Sequence, residues 1–488
     1  MQGKLSARLF LISLTALFCP LVAADEDLQA LVKELSAQVK QLANRVGDLE
    51  QQLAQERELR RQSANNTQST SASKAPNKPV GPAPAGISSV ASIPSISPAD
   101  PVKSEPKPVT VGDIKGSFKI PGTDTSLALG GYAKLDLVYN SISTGFNNYT
   151  DLLLVPGSIP VGTARLGENS QINFTARESR FWLKSFTPTS WGDLSTYLEM
   201  DFYAFQSPGD ERATNSHAPR MRHAYGSLGN FLAGQTWSTF MNVAALPETN
   251  DHGGPVGQIF MRQPLIRWTQ PFTWLGNSME FQGALESPET TLTLPNGTRL
   301  TPDDDRYPDM VARLNYNPVW GSLSVAGMAR QIRYSPNDTT HQETQAWGGA
   351  VSLAGRIKTY ELDNIRFMVN YGNALGRYTT YDVFNDGALD STGQIQLTDV
   401  FAGFASYQHW WSQTLRSTVA YGFAQVADPS YLANTTASKQ VQSVHVNLLW
   451  SPLLQTTIGL EYIYASRQLE SGEEGDLQRV QFSTRFNF

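Results

Sequence analysis

The chain reads as an all-β protein, a transmembrane antiparallel β-barrel of about sixteen strands, preceded by an α-helical coiled coil and an extended linker. Three observations predict this. The sequence ends R-V-Q-F-S-T-R-F-N-F, with Val480, Phe482, Thr484, Phe486 and Phe488 on one face of a strand and Arg479, Gln481, Ser483, Arg485 and Asn487 on the other. An edge strand of that kind must be closed off, and in lipid closure is compulsory because no water is present to satisfy a free edge. At the other end, Lys4 and Arg8 precede an apolar run from Leu9 to Phe18, followed by Val22-Ala23-Ala24, a small-residue cleavage site. Between the ends, short alternating runs are punctuated by Gly, Pro, Asn and Asp.

Taken in order, residues 1–24 are expected to be a secretory signal peptide. Cys19, the only cysteine, lies inside it, so cleavage after Ala24 leaves no disulfide and no thiol chemistry. Cleavage also removes Lys4 and Arg8 and no acids, which takes the net charge from -6 to -8. A mildly acidic chain of this kind gives no case for nucleic-acid binding. Residues 25–62 carry Leu28, Leu35, Leu42 and Leu49 at seven-residue spacing, interleaved with Val32, Val39, Val46 and Leu53. That is a coiled-coil seam, and Val at a with Leu at d leans toward a dimer. A single amphipathic helix packed on a globular domain is the alternative. Residues 63–108 are rich in Ser, Ala, Pro and Asn, cannot bury enough surface to fold, and are expected to form a linker, either a plain spacer or a periplasmic tether to the cell wall.

Residues 109–488 hold the strands. In the first run, Leu127, Leu129, Ala133, Leu135, Leu137 and Tyr139 oppose Tyr132, Lys134 and Asp136. In 194–203, Leu194, Leu198, Met200 and Phe202 oppose Ser195, Tyr197, Glu199 and Asp201. Mean hydropathy of -0.31 does not argue against a membrane, because lipid-facing and lumen-facing residues alternate. Arg177 resists the pattern: with Phe181 and Leu183 facing lipid, Glu178, Arg180 and Lys184 face inward and Arg177 does not, so a bulge or a rim position is needed there.

No catalytic motif, cofactor-binding fingerprint or metal-ligand spacing is present, and the six histidines are scattered. His409 reads as part of an interfacial aromatic cluster, Tyr407 to Trp411. The acidic group Asp303, Asp304, Asp305 and Asp309 reads as a solvated loop, with calcium or a divalent bridge to lipopolysaccharide as the alternative. The residues expected to line a channel and bind solute are Arg180, Lys184, Arg220, Arg222, Arg262 and Arg267. A guanidinium facing hydrocarbon costs about 2–4 kcal/mol at mid-membrane, so it faces a channel or a rim. Arginines in a pore attract anions and grip carboxylates with two parallel hydrogen bonds. The structural alternative is pairing with Asp136, Glu199, Asp201 and Glu280 to stiffen the wall.

The polar, Gly-rich segment Leu246–Gln258 follows the fifth strand-like run and is expected to fold inward as a constriction. Glu248, Asp251 and His252 would then oppose Arg220, Arg222 and Arg262 and set up a transverse field; an ordinary surface loop is the alternative. A stacked path of Tyr132, Trp182, Tyr197 and Tyr203 would instead suit sugars.

Several stretches resemble the DcaP-like porins of Gram-negative bacteria: Gly130-Gly131-Tyr132-Ala133-Lys134-Leu135-Asp136, Ser179-Arg180-Phe181, Thr187-Pro188-Thr189-Ser190-Trp191-Gly192, Arg222-His223-Ala224-Tyr225-Gly226, Leu232 to Phe240, Leu246-Pro247-Glu248-Thr249 and Arg262-Gln263-Pro264-Leu265-Ile266-Arg267. The resemblance implies a homotrimer of sixteen-stranded barrels in the outer membrane, a periplasmic coiled coil, and uptake of small anions, dicarboxylates above all. Expected partners are outer-membrane lipid, lipopolysaccharide, and the barrel-insertion machinery through Phe488. The alternatives are a carbohydrate-selective porin with a periplasmic coil and a cell-wall tether anchored by its barrel.

Overall fold

The computed structural model describes residues 110–144, 149–165, 169–204, 214–336 and 342–488. The expected signal peptide at 1–24, coiled coil at 25–62 and linker at 63–108 lie outside these residues.

Alternation dictates the fold. In β1 (Ser126–Asn140), Leu129, Leu135 and Tyr139 are exposed while Ser126, Lys134, Asp136 and Asn140 are buried. A strand with apolar residues outside and charges inside is stable only if the outside meets hydrocarbon and the inside is enclosed. Each strand then needs a neighbour on both edges. The wall continues with β2, in two pieces (Gln171–Thr175 and Arg180–Thr189), β3 (Gly192–Asp201), β4 (Arg220–Leu228), β5 (Phe231–Trp237), β6 (Arg262–Trp274), β7 (Asn277–Glu286) and β8 (Asp309–Asn317). It is completed by β9 (Gly321–Tyr334), β10 (Thr344–Lys358), β11 (Asn364–Asn373), β12 (Asp399–Trp410), β13 (Leu415–Ala427), β14 (Ser438–Leu453), β15 (Thr456–Leu469) and β16 (Glu474–Asn487). Every consecutive pair is antiparallel, and β16 pairs back onto β1 from Tyr132↔Asn487 to Asn140↔Arg479, which closes the cylinder. The sequence-predicted C-terminal strand is thus the closing strand. The last residue is tied in as well, since Gly131 and Phe488 exchange backbone hydrogen bonds of 3.3 and 3.1 Å.

Short turns join strands at one rim, such as Ser190–Trp191, Gly229–Asn230, Leu275–Gly276 and Leu454–Gln455, and long loops join them at the other. In bacterial barrels of this kind the short turns are periplasmic. The short-turn rim carries exposed Trp191, Trp274, Trp320, Trp411 and Trp450, an aromatic girdle. His409 belongs to it, edge-on to Trp411 at 4.4 Å.

Arg177 sits where β2 breaks. Between the pairs Tyr132↔Arg180 and Asp136↔Thr175, β1 advances four residues and β2 five, so one extra residue is accommodated. Ala176–Ser179 form a turn there, and the Arg177 guanidinium donates to the carbonyls of Phe202 (3.1 Å) and Ala204 (2.9 Å).

The interior is not an empty tube. Leu154 and Ile159 from the first long loop, Phe240, Met241, Ala245, Val256 and Ile259 from the third, and Leu375, Tyr378 and Phe384 from the sixth pack into one apolar cluster with inward residues such as Val311, Ala354, Met368 and Ala402. A four-stranded sheet of Leu292–Thr293, Arg299–Leu300, Gly387–Leu389 and Ile395–Leu397 gathers the fourth and sixth long loops. Arg330 on β9 ties these loops to the wall through Asp309 (2.9 Å), Asp386 (2.7 Å) and the carbonyls of Ala374 and Glu289.

Candidate channel interior and constriction

The third long loop leaves β5 and crosses to the far wall. Asn242 accepts from Ala244 N (3.0 Å), capping a short 3-10 helix at Val243–Ala245, and donates to Ser324 on β9 (2.7 Å). Past this helix, Glu248 meets Arg416 on β13 and Gln408 on β12 (2.7 Å). Asn250 N donates to Glu461 on β15 (2.6 Å), while its carbonyl accepts from Lys134 on β1 (2.8 Å). Asp251 pairs with Arg479 on β16 (3.1 Å) and accepts from Leu154 N (2.9 Å). Val256 N donates to Ser443 on β14 (3.1 Å), and Asn370 on β11 donates to the Gly257 carbonyl (3.0 Å). The segment Leu246–Gln258 therefore lies inside the barrel, held by inward side chains of β1 and β11–β16.

The arginines predicted from sequence divide into two groups. Arg220 donates both Nε and Nη2 to Asp201 (2.8 and 2.7 Å). Arg222 is buried, with Nε on Glu199 (2.7 Å) and Nη1 on Asp201 (2.8 Å). Two residues of β4, Arg222 and His223, stand against the Glu199–Met200 step of β3. This bulge turns both side chains inward, where strict alternation would send one to lipid. Arg180 lies over the Tyr132 ring at 5.2 Å and 3.5 Å from Glu199. These are the structural pairings that the alternative reading assigned to Glu199 and Asp201. Asp136 pairs instead with Lys134 (3.3 Å), and Glu280 accepts from Asn315 and Gln282 rather than from arginine.

Arg262 and Arg267 differ. They are five residues apart, so an ideal strand would put them on opposite faces. Arg267 points inward with Gln263 and Leu265; Arg262, the first residue of β6, lies over the Trp237 ring at 4.6 Å. Neither has a carboxylate within ion-pair distance among the described residues, and Lys184 likewise has none. The same holds for Arg313 on β8, Arg356 on β10, Arg366 on β11 and Arg485 on β16, all facing inward and none among the channel-lining residues expected from the sequence. Arg267, Arg313, Arg356 and Arg485 each have an unpartnered Nε, and Arg262 an unpartnered Nη1. Alternation alone would have placed Arg313 and Arg485 inward; only the three-dimensional partners reveal which arginines stay uncompensated. Against them stand Glu280, Glu286 and Glu461, inward carboxylates engaged by amides, a backbone N–H or His445.

The expected opposition of Glu248, Asp251 and His252 to Arg220, Arg222 and Arg262 needs correction. Only His252 reaches one of them, Arg222 at 3.3 Å, while stacking on Tyr203 at 5.3 Å. Glu248 and Asp251 are compensated across the barrel by Arg416 and Arg479. The loop spends its acids on anchoring. The expected aromatic path is also revised. Trp182 stacks on Tyr197 (6.2 Å), which meets Tyr225 (5.7 Å), but Tyr203 is buried under His252. In the acidic group, Asp309 is buried against Arg330 and Asp305 accepts from Thr290 (2.6 Å). Among the described residues no set of His, Cys, Asp and Glu converges as metal ligands.

The model of the DcaP outer membrane protein family matches residues 122–488, essentially the whole barrel. The chain belongs to the DcaP outer-membrane protein family. A solved structure of the outer membrane channel DcaP of Acinetobacter baumannii superimposes with a TM-score of 0.63 at 21% identity, covering 78% of this chain and 100% of that one. An anion-selective porin from Comamonas acidovorans aligns at a TM-score of 0.45 and 12% identity, over 75% of this chain and 100% of that one. A trimer form of OmpT from Vibrio cholerae aligns at 0.45 and 9%, over 75% and 99%. No curated protein matches the sequence. Family membership and the closed barrel make this DcaP-family chain an outer-membrane channel of the porin type. The relatives are channels, not enzymes.

Proposed function

We propose that the protein is a passive, anion-preferring diffusion channel for small solutes such as dicarboxylates. One observation carries this reading: Arg262, Arg267, Arg313, Arg356, Arg366 and Arg485 lie at the channel interior with no carboxylate in ion-pair contact among the described residues. Uncompensated guanidiniums beside low-dielectric walls concentrate anions, and several weak sites pass a solute along without trapping it. The loop Leu246–Gln258 acts as the constriction, with Glu248 and Asp251 as its anchors and His252 facing the Arg222 side. Arg220 and Arg222 hold the wall, whereas Arg262 and Arg267, with Arg180 and Lys184 at the margin, meet the solute. Replacing Arg262 and Arg267 together by Ala should move the reversal potential in a KCl gradient toward that of potassium. An unchanged potential in the folded double variant would count against the reading.

A second reading has its own observation. The aromatic row of Trp182, Tyr197 and Tyr225 would suit a sugar face, and block by an oligosaccharide but not by a diacid would favour a carbohydrate channel. The proposal includes a homotrimer, on the strength of the family resemblance; cross-linking in detergent tests it. It also includes insertion through Phe488, contacts with lipopolysaccharide, and an N-terminal periplasmic coil that would reach toward the cell wall. Silence in bilayers would leave the barrel as an anchor only.

A further inference from the structure

Resting on the anion-channel reading, we infer that Arg356 and Arg366 form a binding station for small organic dianions on the short-turn side of the folded loop. The two are directly opposite each other on neighbouring strands, β10 and β11, and both point inward with Ser352, Ala354, Asn364 and Met368. They lie two residues from the ends of their strands, which are joined by the short turn Thr359–Asp363. Like charges directly opposite on adjacent strands destabilise a sheet. Here no carboxylate among the described residues lies within ion-pair distance of either guanidinium to offset the repulsion. Arg356 makes no side-chain hydrogen bond or ion pair among the described residues, and its Nε is shielded and unpartnered. Arg366 donates Nε to Asn364 (2.7 Å) and Nη1 to the Leu246 carbonyl, both neutral acceptors. The carboxylate that comes nearest in the loop, Glu248, is already engaged on both oxygens by Arg416.

The surroundings are ordered for the purpose. Arg313 donates to the Met241 carbonyl at the start of the 3-10 helix, and Arg366 donates to the Leu246 carbonyl just past its end. The loop therefore fixes the Arg366 fork without neutralising it and leaves that of Arg356 uncommitted. Two adjacent forks match a solute with two carboxylates, one for each, where a monoanion would satisfy only one. Because the pair sits beyond the loop, it would receive the diacid after the Arg262 and Arg267 region and before release.

The test is block of chloride current through single channels in planar bilayers by succinate, with acetate as the monoanion control. The wild type should be blocked by succinate at much lower concentration than by acetate. Arg356→Gln with Arg366→Gln should raise the succinate block constant at least about tenfold. Arg356→Glu should also abolish the succinate preference. Because it turns a repulsive pair into an attractive one, it should leave the melting temperature of the barrel unchanged or higher. That combination separates a binding role from a structural one. Unchanged block constants in folded variants, or equal block by acetate and succinate in the wild type, would overturn the station. If the wild type shows anion bias and the variants keep their block, the station alone fails. A wild type without anion bias sinks the channel reading and the station with it.

Discussion

Arg479 shows on what terms this barrel tolerates a buried charge. Its guanidinium is shut off from solvent yet donates to Asn140 (2.6 Å), Asp251 (3.1 Å) and the Thr150 carbonyl (3.1 Å). Removing one partner of such a pair strands the other, at a cost of about 3–5 kcal/mol. Arg479→Ala should therefore lower the melting temperature sharply, as read by loss of β circular dichroism in detergent, and Asp251→Asn in the same background should recover part of it. Asp428, in the loop after β13, carries a charge on poorer terms. Burial and the neighbouring Glu470 push its carboxyl up to about 7, against the opposing pull of Lys439. A carboxyl raised in the folded state binds more protons folded than unfolded between its ordinary value and about 7, so stability falls as pH rises through that window. Asp428→Asn should raise the melting temperature at pH 8 and change it little at pH 4; an equal gain at both would refute the titration. At this scale the sequence was half legible. The cost of a guanidinium in hydrocarbon placed Arg267 inside, but the partners of Arg222 could not be read, because they depend on a bulge that periodicity does not mark.

Among the elements, the loop Leu246–Gln258 was readable as a departure from strand chemistry; its Gly and Pro content foretold a tight fold, and its place after the fifth strand, as in sixteen-stranded porins, the inward direction. Its anchors were not readable, since Glu248 meets Arg416 and Asn250 meets Glu461 across about half the barrel wall in sequence. The loop comes very close to the wall at Gly257, where φ is +82° and a Cβ would collide with the carbonyls of Gly403 and Phe423 on β12 and β13. Both the backbone conformation and the lack of space demand glycine there. Gly257→Val should lift the loop off the wall toward the channel axis, lowering single-channel conductance while the strand pairing persists. A conductance equal to wild type would show that this loop does not set the narrowest passage. Arg177 is the opposite case, an exception that the sequence did flag. A residue of the wrong parity demanded an irregular backbone, and the break in β2 supplies it.

The whole molecule was the most legible level. Closure follows from strands that cannot end in lipid with free edges, and two-faced alternation survives even where the interior is crowded with loops. What composition hid is how full that interior is: three long loops and inward residues of β8 to β16 share one apolar cluster, so packed loops fill a large part of the bore. The net acidity of the chain, -6, likewise says little about the bore, because many of its carboxylates are paired or lie in loops while several inward arginines have no carboxylate in ion-pair contact among the described residues. The most direct measurement is the reversal potential of the purified wild-type channel in a planar bilayer under a tenfold KCl gradient. Anion preference predicts a potential displaced toward the chloride equilibrium value, collapsing as chloride is replaced by a larger anion; a potential on the potassium side would contradict the account.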